Sequence, residues 1–300
     1  MDYKEGYAKH GGVEIFYRDY GPQEAKPILL VHGLGAQLVH WPPHLIDLLI
    51  ANNYRPIVYD NRDIGLSTRF FGRPSFTLDY IKYFLRLPIK SEYTIDDMAK
   101  DGIKVLDSLN INQAHILGTS MGGMIAQIIS ANYPERIKSF TLIASTASTP
   151  SPANAPSKAV RKIMMERSKS IDASFEEEYQ REIRFVTLIG MEGREVDTPE
   201  FRKRTFENFH RAPDGSGYSR QLLSILASKN RLKKVKTIQT PTLIVHGKKD
   251  PMINVSNAYK MHKIIPNSEL VVIPRMRHLI EPEILQIFEK KLLTHLKAHT

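Results

Sequence analysis

A serine flanked by glycines lies in the middle of the chain, in the run Gly118-Thr119-Ser120-Met121-Gly122. An apolar stretch at 114–117 precedes this run, and isoleucines at helical spacing follow it. Such a strand–turn–helix context lifts a serine hydroxyl above a sheet, and it needs glycines because side chains would crowd the turn. The run therefore predicts Ser120 as a nucleophile for acyl transfer, in preference to a glycine-rich turn with an incidental serine.

A serine hydroxyl is a weak nucleophile, so it needs a base that a third group orients. For a nucleophile on this kind of turn, an acid and then a histidine follow along the chain. Asp250 follows the apolar run 242–245, and His278 follows the run 270–273. We therefore predict that Ser120, Asp250 and His278 form a catalytic triad at one edge of a sheet. A surface-turn aspartate and a capping histidine are the alternatives.

Backbone donors for a developing oxyanion are predicted from two places. The first is the N–H of Met121, which follows the nucleophile directly. The second is the run His32-Gly33-Leu34-Gly35 after the apolar stretch 28–31, where the Leu34 N–H is the expected donor. The two glycines of this run let the backbone approach a substrate. His32 is expected to shape the loop rather than to act as a base.

The elements that must position these residues alternate between strand-like and helix-like patterns. Continuous apolar runs typical of buried strands lie at 27–31, 57–59, 114–117, 140–143, 242–245 and 270–273. A hairpin is predicted ahead of them, because Gly11-Gly12 separates residues 6–10 from the alternating residues 13–17. Helical spacing lies between the runs, at 45–49, 98–109, 125–129 and 284–292. The alternation predicts an α/β fold with a mostly parallel sheet and helices on both faces.

Two stretches interrupt this alternation. Residues 148–232 show helical patterning without a convincing strand and predict a helical cap, so that 1–147 and 233–300 form the core. Residues 69–93 form an insertion that holds seven of the 26 aromatic residues. Within it, Phe76, Tyr80, Ile81, Phe84 and Leu85 fall on one helical face. We expect an extra helix packed on the cap or pocket; contact with a membrane or lipid surface is the alternative.

Composition limits the chemistry that the chain can perform. The 300 residues carry a formal charge of +10 and no cysteine, which excludes disulfides, thiolate zinc sites, iron–sulfur clusters and a cysteine nucleophile. Residues 231–300 alone carry 13 Lys/Arg against 5 Asp/Glu. We interpret this basic stretch as a solvated face and expect no nucleic-acid partner, because it lacks interleaved aromatics. No apolar leader or membrane-length run is visible, so a cytoplasmic location is expected.

The chain resembles the α/β-hydrolase superfamily over nearly its whole length. The resemblance rests on five landmarks: His32–Gly35, Asp60–Ser67, the Gly118–Gly122 turn, His246–Asp250 and His278. The Asp60–Ser67 segment is similar to serine esterases of the aclacinomycin methylesterase-like and proline-iminopeptidase-like groups. The resemblance implies an eight-stranded sheet, a cap over the site, and no cofactor or metal. The chain departs from the family at Arg277, where small residues are common, and in the length of 69–93.

The predicted activity is that of a carboxylester hydrolase acting on a small to medium acyl ester through an acyl-enzyme. Alternatives on the same fold are a lipase or monoacylglycerol lipase, a carbon–carbon bond hydrolase, a perhydrolase and a non-catalytic ligand-binding protein. A serine at position 120 argues against haloalkane dehalogenases and epoxide hydrolases, which place aspartate there. Candidate pocket residues, each also explained as ordinary core, are Trp41, Met124, Phe140, Phe185, Phe209 and Leu279.

Overall fold

A computed structural model describes residues 2–72, 76–85, 87–148, 154–169, 173–212, 215–228 and 231–299. The strands are β1 (Tyr3–His10), β2 (Val13–Tyr20), β3 (Lys26–Val31), β4 (Tyr54–Tyr59), β5 (Ala114–Thr119), β6 (Ile137–Ile143), β7 (Thr242–Gly247) and β8 (Ser268–Ile273). They form one eight-stranded sheet in the order β1-β2-β4-β3-β5-β6-β7-β8. This confirms the α/β fold with a mostly parallel sheet.

The hairpin and the parallel strands meet between β2 and β4. Strand β1 pairs antiparallel with β2, with His10 opposite Val13 across the two-glycine turn, and β2 pairs antiparallel with β4. Every later pairing, from β4 to β8, is parallel. One prediction was wrong in detail: 270–273 is not buried on both faces. It belongs to β8 at the edge of the sheet, so its side chains up to Val272 are only half-buried.

The helices are α1 (Pro43–Ala51), α2 (Phe76–Phe84), α3 (Ile95–Ser108), α4 (Met121–Asn132), α5 (Lys158–Lys169), α6 (Phe175–Ile189), α7 (Pro199–Arg211), α8 (Ser216–Ala227), α9 (Leu232–Val235), α10 (Ser256–Ile264) and α11 (Pro282–Lys297). Short 3₁₀ turns occupy Leu38–His40 and Pro134–Arg136. Helix starts follow local chemistry. Thr94 caps α3 by accepting from the Asp97 N–H at 3.1 Å, and α11 begins with a proline, Pro282.

Two apolar cores lie on opposite faces of the sheet. One core holds side chains of α3, α4 and α10, and the other holds side chains of α1 and α11. The predicted helical stretches 45–49, 98–109, 125–129 and 284–292 supply these buried faces, which confirms their assignment as helices. Because both faces are covered, the central strands lack a solvent-exposed side and are mostly apolar.

The chain between β6 and β7 forms helices α5 to α9. A buried ion pair fixes α8 to the loop that follows β4. The Arg220 guanidinium donates to both oxygens of the Asp63 carboxylate at 2.8 and 3.0 Å, and both side chains are almost fully buried. Asp63 lies in the loop after β4, in the left-handed conformation with φ 72°. The pair therefore holds α8 against a loop at the carboxyl edge of the sheet.

Helix α2 confirms the predicted helix in 69–93 and contacts α8 of the helical region, but two residues of its predicted apolar face are exposed. Ile81 and Leu85 are 50% and 63% exposed, and Phe71 before the helix is 96% exposed. Asp79 and Lys82 are instead half-buried and pair at 3.6 Å. The side chains of Phe76, Tyr80 and Phe84, which the prediction placed on the same apolar face, lie outside the described residues.

The Arg220–Asp63 pair yields a stability prediction. Arg220→Met leaves the Asp63 carboxylate buried without its cation, so the free energy of unfolding should fall by about 3–5 kcal/mol. Urea denaturation at pH 7 measures this. The control Arg184→Met breaks the solvent-exposed pair with Glu166 and should cost less than about 1 kcal/mol. Equal losses in the two variants would contradict the assignment.

Candidate active site

Ser120 stands on the turn between β5 and α4 in a backbone conformation that L-residues rarely adopt, with φ 55° and ψ −121°. Such a conformation costs about 1–3 kcal/mol, so neighbouring contacts must hold it. The Ser120 N–H donates to Ile143 O at 3.0 Å, and Ser145 Oγ donates to Ser120 O at 2.7 Å. These two bonds fix the turn to the end of β6, the strand next to β5 in the sheet.

The predicted supporting glycines occupy positions where a side chain does not fit. A Cβ at Gly122 would lie 1.9 Å from Val31 O, and one at Gly118 would lie 2.5 Å from Gly122 O. Such distances are far below van der Waals contact, so helix α4 can approach β3 this closely only without side chains there. The glycines flanking Ser120 thus fit the sterics of a nucleophile turn.

Asp250 and His278, which are 28 residues apart in sequence, are hydrogen-bonded to each other. His278 Nδ1 lies 2.7 Å from Asp250 Oδ2, and both side chains are buried. The other carboxylate oxygen, Oδ1, accepts from the N–H groups of Met252 and Ile253 at 2.8 and 3.0 Å. With Nδ1 donating to the carboxylate, the Nε2 atom of His278 is left to act as a base.

The surroundings of Asp250 keep it ionised. Burial by itself would raise the pKa of this carboxyl group. The imidazoles of His278 and His246 outweigh that effect and lower the pKa to about 2. His246 is fully buried, and its Nε2 lies 3.4 Å from Asp250 Oδ2 and 2.8 Å from Ile253 O. Asp250 is therefore a carboxylate at neutral pH and can stabilise an imidazolium beside it.

The backbone around His278 is held by the end of α6. The His278 N–H donates to Ile189 O at 2.8 Å. The Arg277 guanidinium donates to the carbonyls of Thr187 and Leu188, each at 3.1 Å. These carbonyls belong to the last turn of the helix, where a cation is favourable because intrahelical donors are missing. The arginine that departs from the family pattern thus has a structural role here.

The predicted oxyanion donors lie beside Ser120. Strands β3 and β5 pair with Val31 opposite Gly118, so the loop that follows β3 runs next to the nucleophile turn. A Cβ at Gly33 would be 3.2 Å from Ser120 Cβ. Met121 is the first residue of α4, so its N–H lacks an intrahelical acceptor. Within the described part of the chain, the Leu34 N–H also has no hydrogen-bond acceptor.

His32 borders the cavity, but its Nδ1 is engaged within its own loop. Its Nδ1 accepts from the Gly33 N–H at 2.7 Å, and its ring lies 4.6 Å from the Trp41 ring. Burial, together with the nearby His40, lowers the pKa of His32 to about 3. A neutral imidazole bonded within its own loop agrees with the predicted loop-shaping role.

A cavity of about 560 Å³ joins these groups. Ser120, His278, Leu34 and the rest of the His32–Gly35 run border it. Four of the candidate pocket residues also border it, namely Trp41, Phe185, Phe209 and Leu279. The other two, Met124 and Phe140, were wrong as pocket candidates and belong to the core between the sheet and α4. Further walls come from α6, α7 and α8, including Val186, Phe201 and Tyr218.

The basic residues near the acid and base are partly neutralised by one acid from the helical region. Glu192 lies 3.1 Å from Lys249 and 3.7 Å from Arg277. Arg231, at the start of the basic stretch, is buried and donates to Thr146 O at 3.1 Å. The charge of 231–300 therefore includes residues with structural partners and is not one uniform solvated face.

The supporting contacts of two polar residues in this region were not predicted from the sequence. His246 supports Asp250, and Ser145 holds the carbonyl of Ser120. His246 had a usable signal, because it stands four residues before Asp250 at the end of a buried strand. Ser145 had none, since its partner is 25 residues away and only the β5–β6 pairing brings them together.

The fold, the glycine-flanked serine and the paired aspartate and histidine define a hydrolase of the α/β class. A family model described as the alpha/beta hydrolase fold matches residues 26–281. The chain belongs to the alpha/beta hydrolase fold family, which confirms the resemblance seen in the sequence.

More particular relatives also match over nearly full length. The chain is 24% identical over 303 residues to rhodomycin D methylesterase DnrP of Streptomyces peucetius, covering 96% of each chain. Among solved structures, the enol-lactonase of Burkholderia xenovorans LB400 has a TM-score of 0.73 at 22% identity, covering 97% of this chain and 100% of the other. The meta-cleavage product hydrolase CumD of Pseudomonas fluorescens IP01 has a TM-score of 0.72 at 22% identity, covering 99% and 98%. The two structures show the likeness of fold.

The lowered pKa of Asp250 yields a pH prediction. Its pKa is about 2 in the folded protein against 3.8 ordinarily, so the carboxylate stabilises the fold above pH 4 and loses this effect as the pH falls toward 2. Between pH 5 and pH 3 the loss should be about 1 kcal/mol. Urea denaturation at both pH values should show a loss about 1 kcal/mol larger in the wild type than in Asp250→Asn, where the other carboxyl groups still titrate. Asp47→Asn, at an exposed position, should behave like the wild type; an unchanged pH dependence in Asp250→Asn would refute the prediction.

Proposed function

We propose that this protein is a serine carboxylester hydrolase in which Ser120, His278 and Asp250 form the catalytic triad. The observation that carries the proposal is the 2.7 Å bond between His278 Nδ1 and Asp250 Oδ2, at a cavity that Ser120 also borders. The full-length likeness to a methylesterase supports ester hydrolysis broadly. The 22% identical structures support the fold alone, so carbon–carbon bond hydrolysis and perhydrolysis are outcomes for assays to distinguish.

The proposed reaction has two halves. In the first, Ser120 Oγ attacks the ester carbonyl carbon while His278 Nε2 takes the hydroxyl proton, and the resulting imidazolium protonates the departing alcohol. In the second, water attacks the acyl-enzyme, His278 accepts a proton from it, and that proton returns to Ser120 as the acid leaves. Asp250 orients the imidazole and stabilises its charged form throughout.

The tetrahedral intermediates carry a negative charge on the former carbonyl oxygen. In our proposal the N–H groups of Leu34 and Met121 donate to it, and the N-terminus of α4 adds the favourable end of the helix dipole. Gly33, Gly118 and Gly122 permit the close approach of backbone on which this geometry depends, and Gly35 adopts the left-handed conformation with φ 70°.

We propose a small to medium acyl ester as the substrate. The cavity of about 560 Å³ has largely apolar walls, which include Leu34, Trp41 and Ile280. Such walls favour an apolar acyl or alcohol group by excluding water from it. The methylesterase relative acts on a methyl ester by its name, so a methyl ester of a larger acid is one member of the class to test.

We propose that residues 148–232 act as a cap on a core formed by 1–147 and 233–300. Support comes from helices α6, α7 and α8, whose described residues form much of the cavity wall. Phe185, Phe209 and Tyr218 are examples from each of the three helices. In this proposal the cap supplies the walls that select the substrate, and the core supplies the residues that carry out the reaction.

The nucleophile is tested by Ser120→Ala on p-nitrophenyl esters from acetate to palmitate. Removing the attacking oxygen should lower kcat/KM by at least about 10³-fold, since a triad acts as a unit. The matched control is Ser130→Ala on the same helix. Ser130 is buried, and its hydroxyl has no hydrogen-bond partner among the described residues, so activity should change less than threefold.

Full activity of Ser120→Ala would overturn the triad. The same panel separates esterase from lipase, because an esterase should favour short or medium chains in solution. Rates that rise with chain length above the solubility limit would favour the lipase. Turnover of a vinylogous diketone would favour a carbon–carbon bond hydrolase, and peroxide-dependent halogenation would favour a perhydrolase.

We also propose that the 69–93 segment contacts an anionic lipid surface. Phe71, Leu78, Ile81, Leu85 and Leu87 are each at least half exposed, which is unusual for large apolar side chains so close in sequence. The segment carries five Lys/Arg against two Asp/Glu. Exposed apolar side chains beside basic ones suit the boundary between headgroups and acyl chains. Among the described residues, no helix is both long and apolar enough to cross a bilayer.

The lipid proposal is tested by sedimentation with vesicles of phosphatidylcholine containing about a third phosphatidylserine. The double variant Ile81→Ser/Leu85→Ser should bind at least about fivefold more weakly than the wild type, because it removes buried apolar contact with the bilayer. Ile287→Ser, at an exposed position on α11, should bind like the wild type. Equal binding by all three proteins, or none by the wild type, would disprove the contact.

A further inference from the structure

Gln221 on α8 joins two loops at the carboxyl edge of the sheet. Its side chain is fully buried, with 0% exposure. Oε1 accepts from the Gly35 N–H at 2.9 Å, and Nε2 donates to Arg62 O at 2.8 Å. One partner is a donor and the other an acceptor, so the two bonds together fix the orientation of the amide. Gly35 follows β3 and Arg62 follows β4, whereas Gln221 is more than 150 residues further along the chain.

The position of the first bond matters because Gly35 directly follows Leu34, the proposed oxyanion donor. The Gly35 N–H belongs to the peptide unit that joins these two residues. Holding that peptide limits rotation about the Leu34 backbone and therefore limits where the Leu34 N–H points. Within the loop, the Ala36 N–H donates to Gly33 O at 3.3 Å, which is a longer bond, and the Gly33 N–H donates to His32 Nδ1 at 2.7 Å on the other side of Leu34.

The far end of the same loop is also held by this helical region. Gln37 Nε2 donates to Asn208 O at 2.7 Å, and Arg211 donates to Gln37 Oε1 at 2.6 Å. Arg211 also donates to the Asp60 carboxylate at 2.8 Å, and Asp60 accepts from the Leu38 N–H at 2.7 Å. These contacts anchor 37–38. Gln221 reaches the peptide next to Leu34 from the same helical region.

We propose that Gln221 is a positioning residue for the oxyanion hole: it holds the Leu34–Gly35 peptide so that the Leu34 N–H faces the reacting carbonyl. The inference rests on the proposed ester hydrolysis. A donor held before the reaction stabilises the transition state without the cost of reorganisation, and a donor free to rotate loses much of that effect. The helical region therefore sets the electrostatics of the reaction as well as the walls of the cavity.

The test is Gln221→Leu, which keeps the size of the side chain and removes both bonds. We expect kcat on a p-nitrophenyl ester to fall about 10–100-fold, a part of the ~10²–10³-fold that loss of a whole donor costs, with KM within threefold of the wild type. Affinity for a trifluoromethyl ketone, which forms an oxyanion on Ser120, should fall by a similar factor. Ser224→Ala is the control, because this buried residue lies one turn along α8 and donates within its own helix.

Gln221→Leu cannot serve as a test if it fails to fold, which loss of its cooperative thermal transition would show. Two further variants then test the proposal. Gln221→Glu keeps an acceptor for the Gly35 N–H and should retain kcat within about fivefold. Gln221→Asn is too short to bridge both loops and should lose kcat as the leucine variant does. Folded Leu and Asn variants with kcat within twofold of the wild type would overturn the proposal, as would a loss confined to KM or to the folded fraction.

The outcomes separate this inference from the function on which it rests. If the wild type hydrolyses no ester and a fluorophosphonate does not label Ser120, ester hydrolysis itself fails. If the wild type is active and Ser120→Ala is not, an unchanged kcat in Gln221→Leu disproves only the positioning role of Gln221 and leaves the proposed ester hydrolysis standing.

Discussion

The close approach of α4 to β3 is the constraint on which the site depends. Val31 pairs with Gly118 across the sheet, and its carbonyl lies where a side chain of Gly122 would have to be. Only residues without a Cβ fit at positions 118 and 122, and the turn between them holds Ser120 in a strained conformation. The same approach brings the loop after β3 beside the serine. One steric requirement thus places both the proposed nucleophile and the proposed oxyanion donors.

Buried ion pairs connect the loop after β4 with the elements around it. Asp101 on α3 accepts two bonds from the Arg62 guanidinium at 2.7 Å and contacts His10 Nε2 at 2.7 Å. Asp63 and Asp60 in the same loop hold Arg220 and Arg211 from the helical region. Each carboxylate is buried and each has a cation, which is the condition under which buried charge is tolerated. The loop after β4 thereby connects the hairpin, α3 and the helices over the cavity.

Sequence reasoning succeeded where a residue and its context are close together along the chain. The strands, the glycine-flanked serine and the segments that carry Asp250 and His278 each follow from a local pattern. It failed where tertiary position decides. The apolar run 270–273 reads as buried, but nothing within it says that β8 is the last strand. Spacing alone equally could not show that Ile81 and Leu85 face solvent, or that Gln221 reaches Gly35 from 186 residues away.

The attachment of His278 to the end of α6 has a consequence for how this architecture can diversify. The backbone of His278, the proposed base, is held by Ile189, and Arg277 anchors on the two carbonyls before Ile189. The helical insertion and the core are therefore not interchangeable modules. Grafting an insertion from a relative would import new pocket walls, but it would also discard the support of the base. Single substitutions on α6 and α7 that leave these contacts in place would instead change the cavity walls and keep the support of His278.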